Sequence, residues 1–550
     1  MEIAHEGAIL FNLLVAGLLT LVVGGTALLL MQRAILRHML AAGPHSFDGT
    51  AADEPRRPAP TPLSITVDQT EAGPADSQVR TILRRHLIAH ALAGFVFAAT
   101  AALLLLPMTG MELLPLRTSV VIWAFAWPTV LIIGLLVGPD RRLQRRIVLG
   151  YFAVLLVLCG LAWLVNTPTL TVGGVSVPGF AQPAVIWVLY AVPTVFLLLF
   201  LNRTIRTIGP LVLVFAFVLM LGTHATTSML AFAPIQTAAI EVAVATGIGG
   251  TAMLFTIMGI GMLVAFWPAW RVAAFLRDRY AAKRSSELLL TAGAIWLLQG
   301  LMLASNLYHE KGATAAIAAA VPLLAWRLTL SGALRPATAA ARERPQTRLL
   351  LLRVFGFGRR SRRLLDLLGT RWRLIGSIDL IAAPDLASRT VEPSTFLEFM
   401  RGRLARLFIR TPGDLQLRLA AIDHRPDPDA RFRINQLFCS DTMWKAAVKE
   451  LMEEASLVVM DLRGFTPDRR GCVYELQTLL DTVPLSRLVF LFDRTTDRLA
   501  LEAILRDHWQ RLDANSPNLL SDTAALRLLE VTRDDTQAVQ RLLTFATATP

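Results

Sequence analysis

Hydrophobic positions follow two regimes along the chain. Up to about residue 331 they form long, nearly uncharged runs, near 9–31, 87–107, 117–137, 147–166, 184–202, 209–231, 245–268, 287–305 and 313–331. A bilayer crossing needs about 20 mostly apolar residues, so these runs predict nine membrane-spanning helices. From about residue 346 the runs shorten and alternate with amphipathic stretches. RLLLLRVF, WRLIGSIDLIAA, LQLRLAAI, ASLVVMDL, RLVFLFD and LRLLEV read as strands. SRRLLDLLGT, PSTFLEFMRGRLARLF, SDTMWKAAVKELMEEA, GCVYELQTLLDT, LALEAILRDHWQRL and DTQAVQRLLTFA read as helices. Strands that are apolar almost throughout are buried on both faces. Alternated with helices, they predict a doubly wound, mostly parallel sheet.

The expected fold is therefore an α-helical polytopic membrane bundle followed by a C-terminal α/β domain. The domain reading is an N-terminal anchor over 1–40, a linker over 41–86, a multi-span domain over 87–331, a linker over 332–345 and the α/β domain over 346–550. The first linker is rich in Pro, Ala, Asp and Thr, as mobile linkers are. The stretch Met-Glu-Ile-Ala-His-Glu before the first run has no basic segment, and it reads as the start of a retained anchor.

Charge changes the picture next. Of 550 residues, 54% are hydrophobic and only 17% charged, which excludes a disordered chain. The net charge of +13 comes from 54 Lys+Arg against 41 Asp+Glu. Residues 345–550 hold 30 basic and 26 acidic side chains, so most of the excess belongs to the membrane half. There every second loop is basic: Arg80, Arg84 and Arg85; Arg141, Arg142, Arg145 and Arg146; Arg203 and Arg206; Arg277, Arg279, Lys283 and Arg284. That alternation points to an inner-membrane, multi-pass protein with its N-terminus outside and its C-terminal domain in the cytoplasm. It argues against nucleic acid as the partner. The few polar residues within the runs, His224 and Gln299 among them, read as interhelical hydrogen-bonding groups, and the glycines of 247–261 as packing residues.

Candidate chemistry lies where the strands of the C-terminal domain end. Parallel sheets bind ligands beyond the carboxyl ends of their strands. After the first strand come Phe355, Gly356, Gly358 and Arg359, a glycine-arginine loop leading into a helix N-terminus suited to an anion. After ASLVVM come Asp461 and Arg463. Glu475 follows in Gly-Cys-Val-Tyr-Glu-Leu-Gln, near the start of the next helix, where a carboxylate can face the crevice. Such a group binds ribose hydroxyls or stabilises an oxocarbenium-like centre. The cluster Asp423 to Asn435 reads as aspartates paired with neighbouring arginines, rather than as a metal loop.

The helix Asp441 to Glu454, the strand Leu457 to Met460 and the stretch Cys472-Val473-Tyr474-Glu475-Leu476 together resemble TIR domains. The nucleoside deoxyribosyltransferase-like domains are similar in placing a Tyr-Glu-Leu helix after such a strand. The resemblance covers about 200 residues, interrupted by an insertion over 385–436. It implies Glu475 as the catalytic glutamate of a nucleotide-cleaving site with NAD as substrate, and Phe355, Gly356, Gly358, Arg359, Asp461 and Arg463 as nucleotide contacts. The expected function is a membrane signalling or effector protein whose cytoplasmic domain binds and cleaves such a nucleotide. Two alternatives stay open: a non-enzymatic module that assembles with its own kind, and a transporter or channel with a regulatory domain.

Overall fold

The computed structural model describes residues 22, 24–38, 56–57, 61–67, 74–138, 140–172, 175–191, 203–230, 232–354, 358–382, 393–422, 424–440, 442–520, 524–531 and 535–548. Six helical segments in it are long and apolar enough to cross a membrane: Ser77–Met108, Arg142–Leu164, Gly209–Met229, Gly250–Ala281, Glu287–Tyr308 and Thr314–Glu343. They belong to α1 (Pro74–Met108), α4 (Arg141–Leu164), α5 (Arg203–Met229), α6 (Gly250–Ala281), α7 (Glu287–Lys311) and the short helix Ala313–Ala318 with α8 (Ala320–Glu343). Between α1 and α4, α2 (Pro115–Phe125) and α3 (Trp127–Val137) meet at a 41° bend and form a seventh, broken apolar segment. Pro128 stands in the first turn of α3, where its missing N–H and its ring oppose a continuous helix.

Seven of the nine expected runs overlap these segments. The run 184–202 enters the helix Gln182–Ala191 and then leaves the described residues, as most of 9–31 does. The run 245–268 is corrected. Ala233–Thr246 is a separate helix that ends on Gly247, left-handed at φ 69°, and α6 starts only at Gly250. Gly247 is therefore a cap.

Gly261 does pack as expected. A Cβ there would lie 2.5 Å from the Gly222 carbonyl oxygen, and one on Gly222 would lie 2.4 Å from that of Gly261. Two glycines thus bring the α5 and α6 backbones together. Gly259, two residues earlier and so on the other side of α6, has nothing within 4 Å. We expect Gly261→Val to lower the thermal midpoint of the detergent-solubilised protein by several degrees, because backbone cannot yield as a side chain can. Gly259→Val should leave it within about a degree. Equal effects would show that the helices do not meet at Gly261.

Seven strands past α8 and one ahead of α1 build an eight-stranded, wholly parallel sheet. Its strands are β1 (Ser64–Val67), β2 (Thr347–Arg353), β3 (Gly376–Ile381), β4 (Phe408–Ile409), β5 (Ile434–Cys439), β6 (Leu457–Asp461), β7 (Leu488–Phe492) and β8 (Ala525–Glu530). They lie in the order β1-β8-β7-β6-β2-β3-β5-β4. Alternation sends Leu350, Leu352, Val458 and Met460 into one core and Leu349, Leu351, Leu457 and Val459 into the other. That is why these strands read as continuous apolar runs. The first core is closed by α10 (Trp444–Glu454), α11 (Arg470–Thr482) and α12 (Arg498–Trp509). The second is closed by α9 (Gly358–Arg371) and α13 (Asp535–Ala548).

Part of the expected linker 41–86 belongs to this sheet. Ser64–Val67, with two β-branched residues after Ile65 and Ile65 itself, pairs with Ala525–Leu528 as the edge strand. Val79 and Ile82, in the first turns of α1, are buried in the same core as Leu364, Leu368 and Val539. One helix is thus anchored in the sheet at its start and apolar enough to cross a membrane further on.

Two further corrections concern the insertion. LQLRLAAI, expected as a strand, lies in the helix Pro412–Ala420, which a capping box between Thr411 and Asp414 starts. The end of the insertion, expected as loop, contains the start of β5. The inserted segment contributes β4 and joins β5 at the sheet edge beside β3.

Candidate functional site at the carboxyl edge of the sheet

The winding of the sheet reverses between β2 and β6, which places a crevice at their carboxyl ends. Arg353 and Asp461, their last residues, stand opposite each other in register. Asp461 accepts from Nε and Nη2 of Arg463, both at 2.8 Å, in a bidentate pair. Nη1 of Arg463 donates to Oδ1 of Asp535 at 2.9 Å, and Arg363 stands 3.6 Å from the other oxygen of Asp535. Asp461 and Arg463 are both buried. Their hydrogen-bonding capacity goes largely into holding the first turn of α13 against the end of β6. Asp535 also suits a helix N-terminus by charge.

Glu475 lies in the second turn of α11, near the start of that helix. It shares the apolar face of that helix with Cys472, Leu476 and Leu479 and is only 3% exposed. Among the described residues its Oε2 has no hydrogen-bond partner. Burial pushes its carboxyl up to about 8, against the pull of the nearby Arg353 guanidinium. At neutral pH the group is therefore largely protonated, and it can donate a proton or a hydrogen bond.

The structure thus separates two residues that the sequence placed together. Glu475 belongs to the face of α11 that packs on Met460 and Leu462. Asp461, by alternation, points with Val459 to the opposite face, towards α13. Both flank the same edge, from opposite sides of the sheet. Phe355 and Gly356 lie outside the described residues. Gly358 and Arg359 open α9, whose start follows β2 at this edge. Sequence reasoning missed Arg353 and Asp535, whereas Arg363 closes the glycine-arginine stretch read as an anion site. The only hint was a charge at the end of an apolar run (Arg353) and an acid opening a helix (Asp535).

A second polar centre lies in the cluster Asp423 to Asn435, whose contacts with the helices sequence reasoning did not foresee. The loop between His424 and Arg433 is wedged against the adjoining ends of α6, α7 and α8 and against α1 at His86. Asp427 and Asp429 in it are fully buried. Asp427 accepts from Nε of Arg433 at 3.0 and 3.1 Å, the expected aspartate–arginine pairing. The same guanidinium donates to the Tyr280 carbonyl at 2.7 Å and lies 4.2 Å above the Tyr280 ring. Ser286 donates to Asp429 Oδ2 at 2.6 Å while also capping α7. Thr338 of α8 donates to the Pro428 carbonyl at 2.8 Å, and Nε2 of His86 in α1 lies 2.6 Å from the Asp429 carbonyl oxygen. Lys283 contacts the Arg425 carbonyl, and Arg373 pairs with Glu287 at 3.4 Å. Burial raises the Asp427 carboxyl above its usual range, with Arg433 opposing the shift.

No protein-family profile, curated protein or solved structure matches the chain. The likeness to TIR domains accordingly rests on the order of elements and on Cys472 to Leu476 alone.

Proposed function

We propose that the chain is an integral membrane signalling protein whose α/β domain binds a nucleotide at the crevice between β2 and β6 and transmits its occupancy to the membrane helices. The observation that carries this reading is the junction at residues 424–433. One loop of the sheet domain is buried, with charge pairs and hydrogen bonds, against four helices that contain segments fit to cross a membrane. A tether would need no such contact; burying charge is costly unless it is paired in a fixed geometry. The strand order β3-β2-β6-β7-β8 is the flavodoxin-type winding, in which a nucleotide's natural place is the reversal point. On this reading the chain sits in a bacterial inner membrane with the sheet domain in the cytoplasm.

Cleavage of the nucleotide is the second reading. The buried, proton-holding Glu475 favours it, since strongly perturbed acids concentrate at catalytic sites. The test uses the full chain in lipid nanodiscs, because β1 and the start of α1 complete the sheet domain. NAD, ATP and cyclic nucleotides are titrated while thermal midpoint and released nicotinamide are recorded. A ligand selective for the native state raises the midpoint, by about 2.7 kcal/mol of stabilisation at 100 times its Kd. We expect a rise with at least one nucleotide. No rise with any of them would refute nucleotide binding and favour the assembly module.

A further inference from the structure

Beside the junction, at the ends of α5, α6, α7 and α8 that adjoin the sheet domain, lies a cavity of about 950 Å³. One wall is apolar, with Leu211, Val214, Leu290 and Leu323. Arg279, Arg284, Arg327, Arg335 and Arg342 also line it. No acidic residue lines it. Among the described residues none of these five arginines forms an ion pair. The one contact of their charges is the Arg279 guanidinium, 5.5 Å from the Phe275 ring. On α8, Arg327, Ser331, Arg335, Thr338 and Arg342 recur at helical spacing and form one polar stripe along the cavity.

Five cations with no carboxylate partner, together with an apolar wall in helices fit to cross a membrane, complement one kind of molecule. It must carry a compact anion at one end and hydrocarbon at the other. A soluble anion would leave the apolar wall wet, and a neutral lipid would leave the arginines unmatched. Basic pockets between membrane helices on the cytoplasmic side hold anionic headgroups in this manner.

We infer that this cavity binds an anionic phospholipid, its phosphate among the arginines and its acyl chains along the α5–α7 wall. The site does not depend on the nucleotide reading. It does bear on the junction, because Pro428 lines the cavity and its carbonyl is held by Thr338. An occupied cavity therefore braces the loop that joins the two halves.

The test is native mass spectrometry of delipidated full-length protein, titrated with dioleoylphosphatidylglycerol and with dioleoylphosphatidylcholine. The acyl chains are identical, so a difference reports the headgroup. We expect the anionic lipid to bind about tenfold more tightly, and R335Q/R342Q to remove most of that preference. Arg335 and Arg342 are exposed, so their loss leaves packing intact. Leu290→Trp fills the apolar wall and keeps all five arginines; it should abolish tight binding. Equal affinity for the two lipids would overturn the inference, as would a preference unchanged in R335Q/R342Q. Displacement of the lipid by glycerol 3-phosphate at equal concentration would reassign the cavity to a soluble anion and overturn it as well.

Discussion

Glu475→Gln is expected to remove a pH dependence of stability that the native chain carries between about pH 4.5 and pH 8. The carboxyl rises from its ordinary 4.5 to about 8 on folding because α11 buries it in an apolar face. Across that window the native state holds a proton that the unfolded chain has released. Linkage then makes stability fall as pH rises, by at most about 1.4 kcal/mol per pH unit, with the full contribution present below pH 4.5 and lost above pH 8. Glutamine has the same shape and does not titrate. At pH 5 the variant should unfold within about a degree or two of the parent, and at pH 8 at a clearly higher temperature. If Glu475 also cleaves a nucleotide, nicotinamide release should vanish in the same variant although its fold is intact. Parallel pH profiles for the two proteins would show that Glu475 is not the buried, protonated acid described above.

The second large effect is expected at the junction. Asp427→Asn removes the carboxylate that pairs with Arg433 in direct contact, where Asp427 itself is fully buried. Breaking a buried pair from one side costs about 3–5 kcal/mol, because the remaining charge stays desolvated. Arg433→Gln should cost a similar amount for the converse reason. The double variant D427N/R433Q should cost markedly less than the sum, since neither charge is then left alone. Thermal or denaturant unfolding of the four proteins in one detergent supplies the cycle. Additive losses would mean that the two side chains do not act as a pair.

These two sites differ in how far they could be read from sequence. The parallel sheet was legible because Leu349–Leu352 and Leu457–Met460 are apolar on both alternations, which only a strand covered on both faces requires. Asp461 was legible as a charge ending such a strand, and Glu475 as a carboxylate near the start of the next helix. What failed was competition between local signals. Leu415, Leu417 and Leu419 alternate as in a strand, yet Thr411, Pro412 and Asp414 begin a helix there, and Leu417 is left 73% exposed. Ile434–Cys439 carries Asn435 and Gln436 within a strand, and Asn435 is kept by a bond to Asp379 that no local pattern announces. At the junction the pairing of Asp427 with Arg433 was legible, but its contacts with the helices were not, for a further reason. Asp429 meets Ser286 across 143 positions and His86 across 343, and periodicity carries no information at that range.

Hydrogen–deuterium exchange on the full chain in nanodiscs, with and without the nucleotide that raises its thermal midpoint, tests the central claim most directly. If the loop at 424–433 couples the two halves, ligand at the β2–β6 crevice should change protection there and in the adjoining ends of α6, α7 and α8. The same change should be lost in D427N/R433Q, although that variant still binds. Protection that changes only at the crevice, and is the same in both proteins, would contradict the account: the sheet domain would then work alone, and the membrane helices would do no more than hold it.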